Sequence, residues 1–307
     1  MVYDLIIIGG ATSGLTAGIY AARKKLNAII VTREVGGQTL LTETIENFPG
    51  FEKISGPELI ARMETQVKKL KLPVIKTGIS SLEKTADGQF VAKTDKGDEM
   101  KAKAIIVTTG KNPRRLDVPG EKEFENKGVV YCSTCDAPLF GGKTVAVAGG
   151  GNSGLNAAYD LLKYAVKIYV MEAGGRIIGD EVLQDKLKES GIVEFMTNVD
   201  IKEIAGRNFV DKVVYLDKKN GQTGELAVQG VFVNVGWVPA TGFLKGVVDL
   251  NDYGEIIIDP ANQTSTPGIF AAGDATNVKY KQCIIAAGEG AKAALAAYDY
   301  LKLKSQN

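Results

Sequence analysis

The chain has 307 residues, enough for about two domains with cores of their own, which excludes a small scaffold held together by disulfides. With 45% hydrophobic and 24% charged residues, and 37 basic against 36 acidic side chains, neither wholesale disorder nor electrostatic binding of nucleic acid is expected. There is no histidine, so a Ser-His-Asp triad, a Cys-His pair and a His-bound metal site are excluded together, and three cysteines cannot supply a four-thiolate zinc site. Sparse cysteine and the lack of a cleavable apolar leader fit a cytoplasmic protein with no membrane role.

Glycine accounts for 36 of the 307 residues, above the usual roughly 7%, and with no low-complexity tract to hold the excess it must sit at tight turns. The first turn comes at once: Asp4 to Ile8 reads as a buried strand, stops at Gly9-Gly10-Ala11-Thr12-Ser13-Gly14, and is followed by helical spacing over Leu15 to Lys25 and a second apolar run, Ala28 to Thr32. Leu5 to Ala22 carries no charge, yet Gly9, Gly10, Gly14 and Gly18 inside it make strand, turn and buried helix rather than a membrane span. Ala104 to Thr109, running into Gly110, is another buried strand. The β-α-β order then returns, with Thr144 to Ala148 as strand, Gly149 to Gly154 as turn, Leu155 to Tyr164 as helix and Lys167 to Met171 as strand. Gly268 to Ala272 runs into Gly273-Asp274, and alanine-rich Gly288 to Leu303 reads as a closing helix.

Asn112-Pro113 with Val118-Pro119-Gly120, and Trp237-Val-Pro239 with Gly242, suit inter-domain crossings, at which Trp237 is expected to pack. The reading is therefore an α/β protein of two Rossmann-like dinucleotide-binding domains, the second inserted into the first: residues 1–113 with 245–307, and residues 114–244.

A G-x-G-x-x-G at a strand-to-helix turn lets the backbone approach a pyrophosphate, whose charge meets the free N–H groups of the helix. Gly149, Gly151 and Gly154 fit this pattern, with Asn152 and Ser153 inside the turn as further candidate contacts. Glu172 ends the next strand, where a carboxylate can accept hydrogen bonds from ribose hydroxyls and repels a 2′-phosphate. No Lys or Arg occupies 172–175, and Arg176 is the nearest, so NADH is favoured over NADPH. In the first turn Ala11 stands where glycine allows the closest approach, flanked by Gly9, Ser13 and Gly14, with Glu34 near the end of the second strand. Either turn alone could merely pack a helix on a sheet; two copies in the right context argue for two dinucleotide sites.

Cys132-Ser-Thr-Cys135-Asp136 lies just before the second glycine strand. Two thiols at this spacing can close a disulfide and exchange it with another. Half of a zinc site, two inert thiols or a chance tetrapeptide are the competing readings. Asp136 is either a proton donor and acceptor for such exchange, if its surroundings raise its pKa, or a helix-capping carboxylate. Cys283 has no sequence partner and reads as a packed core thiol.

Taken together the chain resembles the low-molecular-weight thioredoxin reductases and the related flavoprotein component of alkyl hydroperoxide reductase. The resemblance runs from Tyr3 to Leu301 and rests on Gly36-Gly37-Gln38, Glu46-Asn47-Phe48-Pro49-Gly50, Thr109-Gly110, Cys132 to Asp136, Gly149 to Gly154, Gly268 to Asp274, and Gln282. It implies FAD in the discontinuous domain, with the first glycine turn at its pyrophosphate, Gln38 and Asn47 near the flavin, Asp274 on the ribityl chain and Gln282, between Lys281 and Cys283, beside the pyrimidine edge. It also implies a homodimer in which the inserted domain swings, so that electrons pass from reduced nicotinamide to FAD and on to the Cys132–Cys135 disulfide. By the same resemblance Cys135 is the thiol nearer the flavin, Cys132 attacks the substrate disulfide and Asp136 handles the proton.

Two departures bear on donor and acceptor. NADPH-using thioredoxin reductases carry a His-Arg-Arg-x-x-x-Arg run where this chain reads Glu172-Ala-Gly-Gly-Arg-Ile-Ile178, whereas the alkyl hydroperoxide reductase flavoproteins have a similar glutamate and use NADH. Those flavoproteins carry an N-terminal thioredoxin-like extension, and here the first strand begins at residue 3, so the expected acceptor is a separate thioredoxin- or glutaredoxin-like protein. The leading expectation is an NADH-preferring, FAD-dependent thioredoxin-disulfide reductase. The alternatives are the same chemistry with reduced ferredoxin as donor, and a flavin-binding redox sensor without turnover.

Overall fold

The computed structural model describes residues 2–42 and 44–304, which divide into two compact units, one formed by the described residues up to 112 and from 238 onward, the other by residues 113–237. The chain opens with β1 (Val2–Gly10), α1 (Thr12–Arg23) and β2 (Ala28–Val35). Helix α2 (Gly56–Lys69) starts where Ser55 Oγ accepts the Glu58 amide at 3.2 Å with Pro57 in the first turn, and it ends on Lys68 and Lys69, which suit the negative end of its dipole. Then come β3 (Val74–Lys76), β4 (Ile79–Lys84), β5 (Phe90–Thr94) and β6 (Glu99–Val107).

Beyond β7 (Lys111–Pro113) the inserted unit contributes β8 (Val129–Val130), the one-turn helix α3 (Ser133–Asp136), β9 (Thr144–Ala148), α4 (Asn152–Leu161), β10 (Lys167–Glu172) and α5 (Glu181–Glu189). It continues with β11 (Val193–Thr197), β12 (Val199–Gly206), β13 (Val210–Asp217), β14 (Gln222–Ala227) and β15 (Gly230–Val233). The chain leaves through β16 (Trp237–Pro239), which pairs with β7, and finishes with β17 (Ile269–Ala271) and α6 (Cys283–Lys304).

In the first unit the described strands run β3-β2-β1-β6, with β17 also on β6, all parallel, and β5 and β4 extend the sheet antiparallel from β6. Successive residues of β1 serve opposite faces: Leu5 and Ile7 pack with α1, α2 and α6, and Ile6 and Ile8 pack with Leu244, Val248 and Ile256 on the other side. In the second unit the order is β11-β10-β9-β15-β8, all parallel, beside the antiparallel meander β12-β13-β14. In both units the α-helices pack on one face of the central parallel strands, and a strand–glycine turn–helix forms the first crossover.

Several boundaries differ from the sequence reading. Residues 238–244 lie with the first unit, because Ala240 N–H donates to the Gly110 carbonyl at 3.0 Å and Leu244 is fully buried against the first sheet. Helix α4 occupies 152–161 rather than 155–164, beginning inside the glycine turn, and α6 begins at Cys283 rather than Gly288. No described helix is long and apolar enough to cross a membrane.

Each glycine turn is fixed by close approach. Gly9 and Gly149 have φ of +113° and +109°, and a Cβ on Gly14 would lie 2.0 Å from the Gly9 carbonyl oxygen, as one on Gly154 would lie 1.9 Å from that of Gly149. Backbone cannot yield as a flexible side chain does, so Gly14→Ala is expected to cost about 2 kcal/mol or more and to lower the urea midpoint of the chain. An unchanged midpoint would contradict this account of the turn.

Candidate active site

The carboxyl ends of β1, β2, β6 and β17 converge on a cavity of about 810 Å³ that lies within the first unit. This is the crevice position expected where strand order reverses, here between β1 and β6. Helix α1 points its first turn at the cavity with no side-chain cap at Ala11 and no acidic residue in that turn. Its amides are therefore free to bind an anion. The Thr109 hydroxyl, also in the wall, is buried without a partner, which a bound group would satisfy. An elongated anionic dinucleotide such as FAD fits these features, and when bound it supplies two-electron redox chemistry that no side chain here can perform.

Of the residues expected at this site, Gly9, Ala11, Ser13, Glu34, Gly37, Gln38, Thr109, Gly110, Asp274, Lys281, Gln282 and Cys283 all line the cavity. Gly14 does not, being buried beneath the turn, where its missing Cβ seats α1 on Gly9. Asn47 also stands outside the wall and acts through Gln282, whose Oε1 accepts its amide at 3.0 Å. Cys283 Sγ lies 3.8 Å from Thr39 Oγ1, partly packed on the apolar cluster of the first unit as well as facing the cavity. Ala11 is accommodated with its methyl 3.3 Å from where a Cβ of Gly37 would stand.

One feature of this wall has no local sequence signal. Lys111 and Lys281, both facing the cavity, place their ammonium groups 3.0 and 3.1 Å from the same oxygen of Glu255, whose other oxygen accepts Asn251 Nδ2 at 3.0 Å. The three charged side chains are only 15–23% exposed. Burial works against the Glu255 anion, but the Asn251, Lys111 and Lys281 contacts outweigh it and hold its pKa at about 2. Asp274 moves the other way: burial pushes its pKa up, with Lys281 and Lys111 opposing. Arg33 and Asp95, a rim pair with Nε···Oδ2 of 2.9 Å, are likewise not legible from spacing.

In the second unit α4 starts as α1 does, with Gly151 at the cap, no side-chain cap and no acidic residue in its first turn. A Cβ on Gly151 would meet nothing within 4 Å, so the space above the turn is open, and Asn234 Nδ2 beside the turn is buried without a partner. Ser153 is exposed on that first turn, whereas Asn152 Oδ1 accepts the Asp180 amide at 2.7 Å and so anchors a loop. The Glu172 carboxylate is similarly engaged: its oxygens accept the amides of Gly150 and Gly174, both at 2.7 Å. Each oxygen keeps a lone pair for a hydroxyl, and the two amides fix its position.

Cys132 and Cys135 are joined as a disulfide with Cα atoms 5.5 Å apart across α3. The Cys135 amide donates to Cys132 Sγ at 3.1 Å, an arrangement that favours negative charge on that sulfur once the bridge opens. Ser133 Oγ donates to Asp160 on α4 at 2.7 Å and pins the redox turn to the helix. Asp136 makes no capping hydrogen bond, and burial raises its pKa. Ahead of the pair Glu121, 3% exposed, accepts Tyr131 OH at 2.9 Å and two backbone amides, holding the approach to Cys132.

Two dinucleotide-type folds, one carrying a disulfide, accord with the family match: residues 3–290 match the family described as pyridine nucleotide-disulphide oxidoreductase, to which the chain belongs. Among its relatives, it is 43% identical over 299 residues to a protein of Bacillus subtilis named NADH dehydrogenase, covering 97% of this chain and 58% of that one. It is 42% identical over 302 residues to the F component of alkyl hydroperoxide reductase in Xanthomonas campestris pv. phaseoli, covering 97% of this chain and 57% of that one. The chain thus spans little more than half the length of these relatives. The crystal structure of Lactococcus lactis thioredoxin reductase matches with a TM-score of 0.87 at 33% identity, covering 98% and 99% of the two chains, and that from T. acidophilum with 0.84 at 34%, covering 99% of each.

The Glu255 cluster gives a pH test. A carboxylate held at about 2 against 4.5 contributes stability that is present above about pH 4.5 and is lost as pH falls toward 2. The bound is about 3 kcal/mol, which solvent screening at the cavity rim lowers to on the order of 1–2 kcal/mol. The gap in urea-unfolding free energy between wild type and Glu255→Gln should therefore be largest near neutral pH and close below pH 3; a gap independent of pH would refute the cluster.

Proposed function

We propose that the protein is an NADH-preferring, FAD-dependent reductase of a small thioredoxin- or glutaredoxin-like protein disulfide, acting as a homodimer. The observation that carries this reading is the Cys132–Cys135 disulfide in the unit whose glycine turn is paired with Glu172, the acidic residue in the ribose-binding position. Ala173, Gly174 and Gly175 follow it, with no cation to receive a 2′-phosphate.

Once the Cys132–Cys135 bond has been reduced to the dithiol, Cys132, its charge supported by the Cys135 amide, attacks the partner disulfide. A bond forms between Cys132 and one partner sulfur as the partner's own S–S bond breaks, and the second partner sulfur leaves as thiolate and takes a proton from Asp136. Cys135 then attacks the mixed disulfide, restoring the Cys132–Cys135 bond and releasing the first partner thiol. The chain has delivered two electrons; FAD, which the first glycine turn with Gln38, Asp274 and Gln282 would hold in the first unit, would supply the redox chemistry that returns them from NADH.

The relatives named for alkyl hydroperoxide reductase favour a second acceptor, the disulfide of that system's peroxide-reducing partner. Steady-state turnover with each acceptor separates the two.

Anaerobic titration of the FAD-loaded protein should bleach the flavin with NADH at far lower concentration than with NADPH. Equal responses would remove the role given to Glu172, and bleaching by dithionite alone would move the donor to ferredoxin. Glu172→Gln combined with Ala173→Arg should shift the ratio toward NADPH by about tenfold or more. Cys135→Ser should keep bound FAD yet lose disulfide reduction, and retained turnover would refute its role.

A further inference from the structure

The Lys111–Glu255–Lys281 cluster is unusual for a cavity wall, since two ammonium groups share one carboxylate oxygen and leave one positive charge in excess. Four segments hold it in place. Gln38 Nε2 donates to the Lys111 carbonyl at 2.6 Å, Asn251 orients Glu255, Lys281 Nζ donates to the Thr276 carbonyl, and the next residue, Gln282, accepts Asn47. Asp274 also lines this cavity; burial raises its pKa, and the nearby Lys281 and Lys111 oppose that rise.

On the reading that FAD occupies this cavity, we infer that Lys111 and Lys281 are electrostatic tuning residues that favour the reduced state of the flavin, with Glu255 as the positioning residue that keeps both ammonium groups at the cavity. Hydride transfer from a reduced nicotinamide adds two electrons and one proton to the isoalloxazine, so the ring gains one negative charge while the nicotinamide gains one positive. A fixed cation in a poorly solvated wall interacts more strongly with the ring after that change than before it. The oxidised ring is neutral, so the same cations contribute little to the affinity for oxidised FAD.

The test equilibrates the full-length, FAD-loaded protein anaerobically at pH 7 with a redox dye of known potential and reads the ratio of reduced to oxidised flavin. Lys111→Met and Lys281→Met should each lower that ratio about tenfold at fixed potential, or about 30 mV for a two-electron couple. Affinity for oxidised FAD should change no more than a few-fold. Lys111→Arg, which keeps the charge, should restore the wild-type ratio. Lys103→Met removes the same charge from the Asp4 pair elsewhere in the unit and should leave the ratio alone. Unchanged ratios in both cavity variants with FAD bound overturn the inference, as does an equal fall in the Lys103 variant. A wild-type protein that takes up no FAD overturns the FAD reading itself, and the inference with it.

Discussion

Helix α1 meets the end of β1 at a separation that admits no side chain: any Cβ on Gly14 would stand 2.0 Å from the Gly9 carbonyl oxygen. That contact draws the first turn of α1 over the end of its own sheet and leaves the amides of Thr12 and Ser13 aimed at open space. The repeat at Gly154 and Gly149 does the same in the second unit. Everything else at either site is arranged around a helix terminus that lacks a protein partner for its positive end.

Ala11 and Gly151 show how the two turns divide the work. They hold the same place, the cap of the first helix after the strand, and neither uses a side chain to satisfy the helix. Ala11 carries a methyl group beside Gly37, whereas the space over Gly151 is clear. The less obstructed approach to a phosphate is thus at Gly151 in the second unit, and the first offers its cavity of about 810 Å³, its buried Thr109 hydroxyl and its polar wall.

The redox pair is held by neighbours rather than by its own short helix. One turn of four residues has little intrinsic stability. The Ser133–Asp160 hydrogen bond behind it and the Glu121–Tyr131 contact ahead of it fix both ends of the segment. The Asp136 amide donates to the Cys132 carbonyl at 3.2 Å, while burial raises the pKa of its carboxyl group. A carboxyl free of capping duty and costly to ionise is suited to hold a proton for a departing thiolate.

Local spacing by itself determined the fold class, both glycine turns, Glu172 and the cysteine pair, because each depends on residues a few positions apart or on the fixed length of a β-α-β unit. Resemblance extended that to Gln38, Asp274 and Gln282, which line the cavity as expected, and to Asn47, which reaches it through Gln282. Periodicity placed the start of α6 five residues late, at Gly288, since the polar Lys281-Gln282-Cys283 lead into the helix carries no capping signature. It also assigned 238–244 to the inserted domain, because prolines mark a turn without saying which core Leu244 will enter. Only the tertiary structure joined Lys111 to Glu255 and Lys281, Ser133 to Asp160, and the Glu172 oxygens to the amides of Gly150 and Gly174. An ion pair is a relation between side chains brought together by sheet order, and no local pattern encodes a contact across 144 residues of chain.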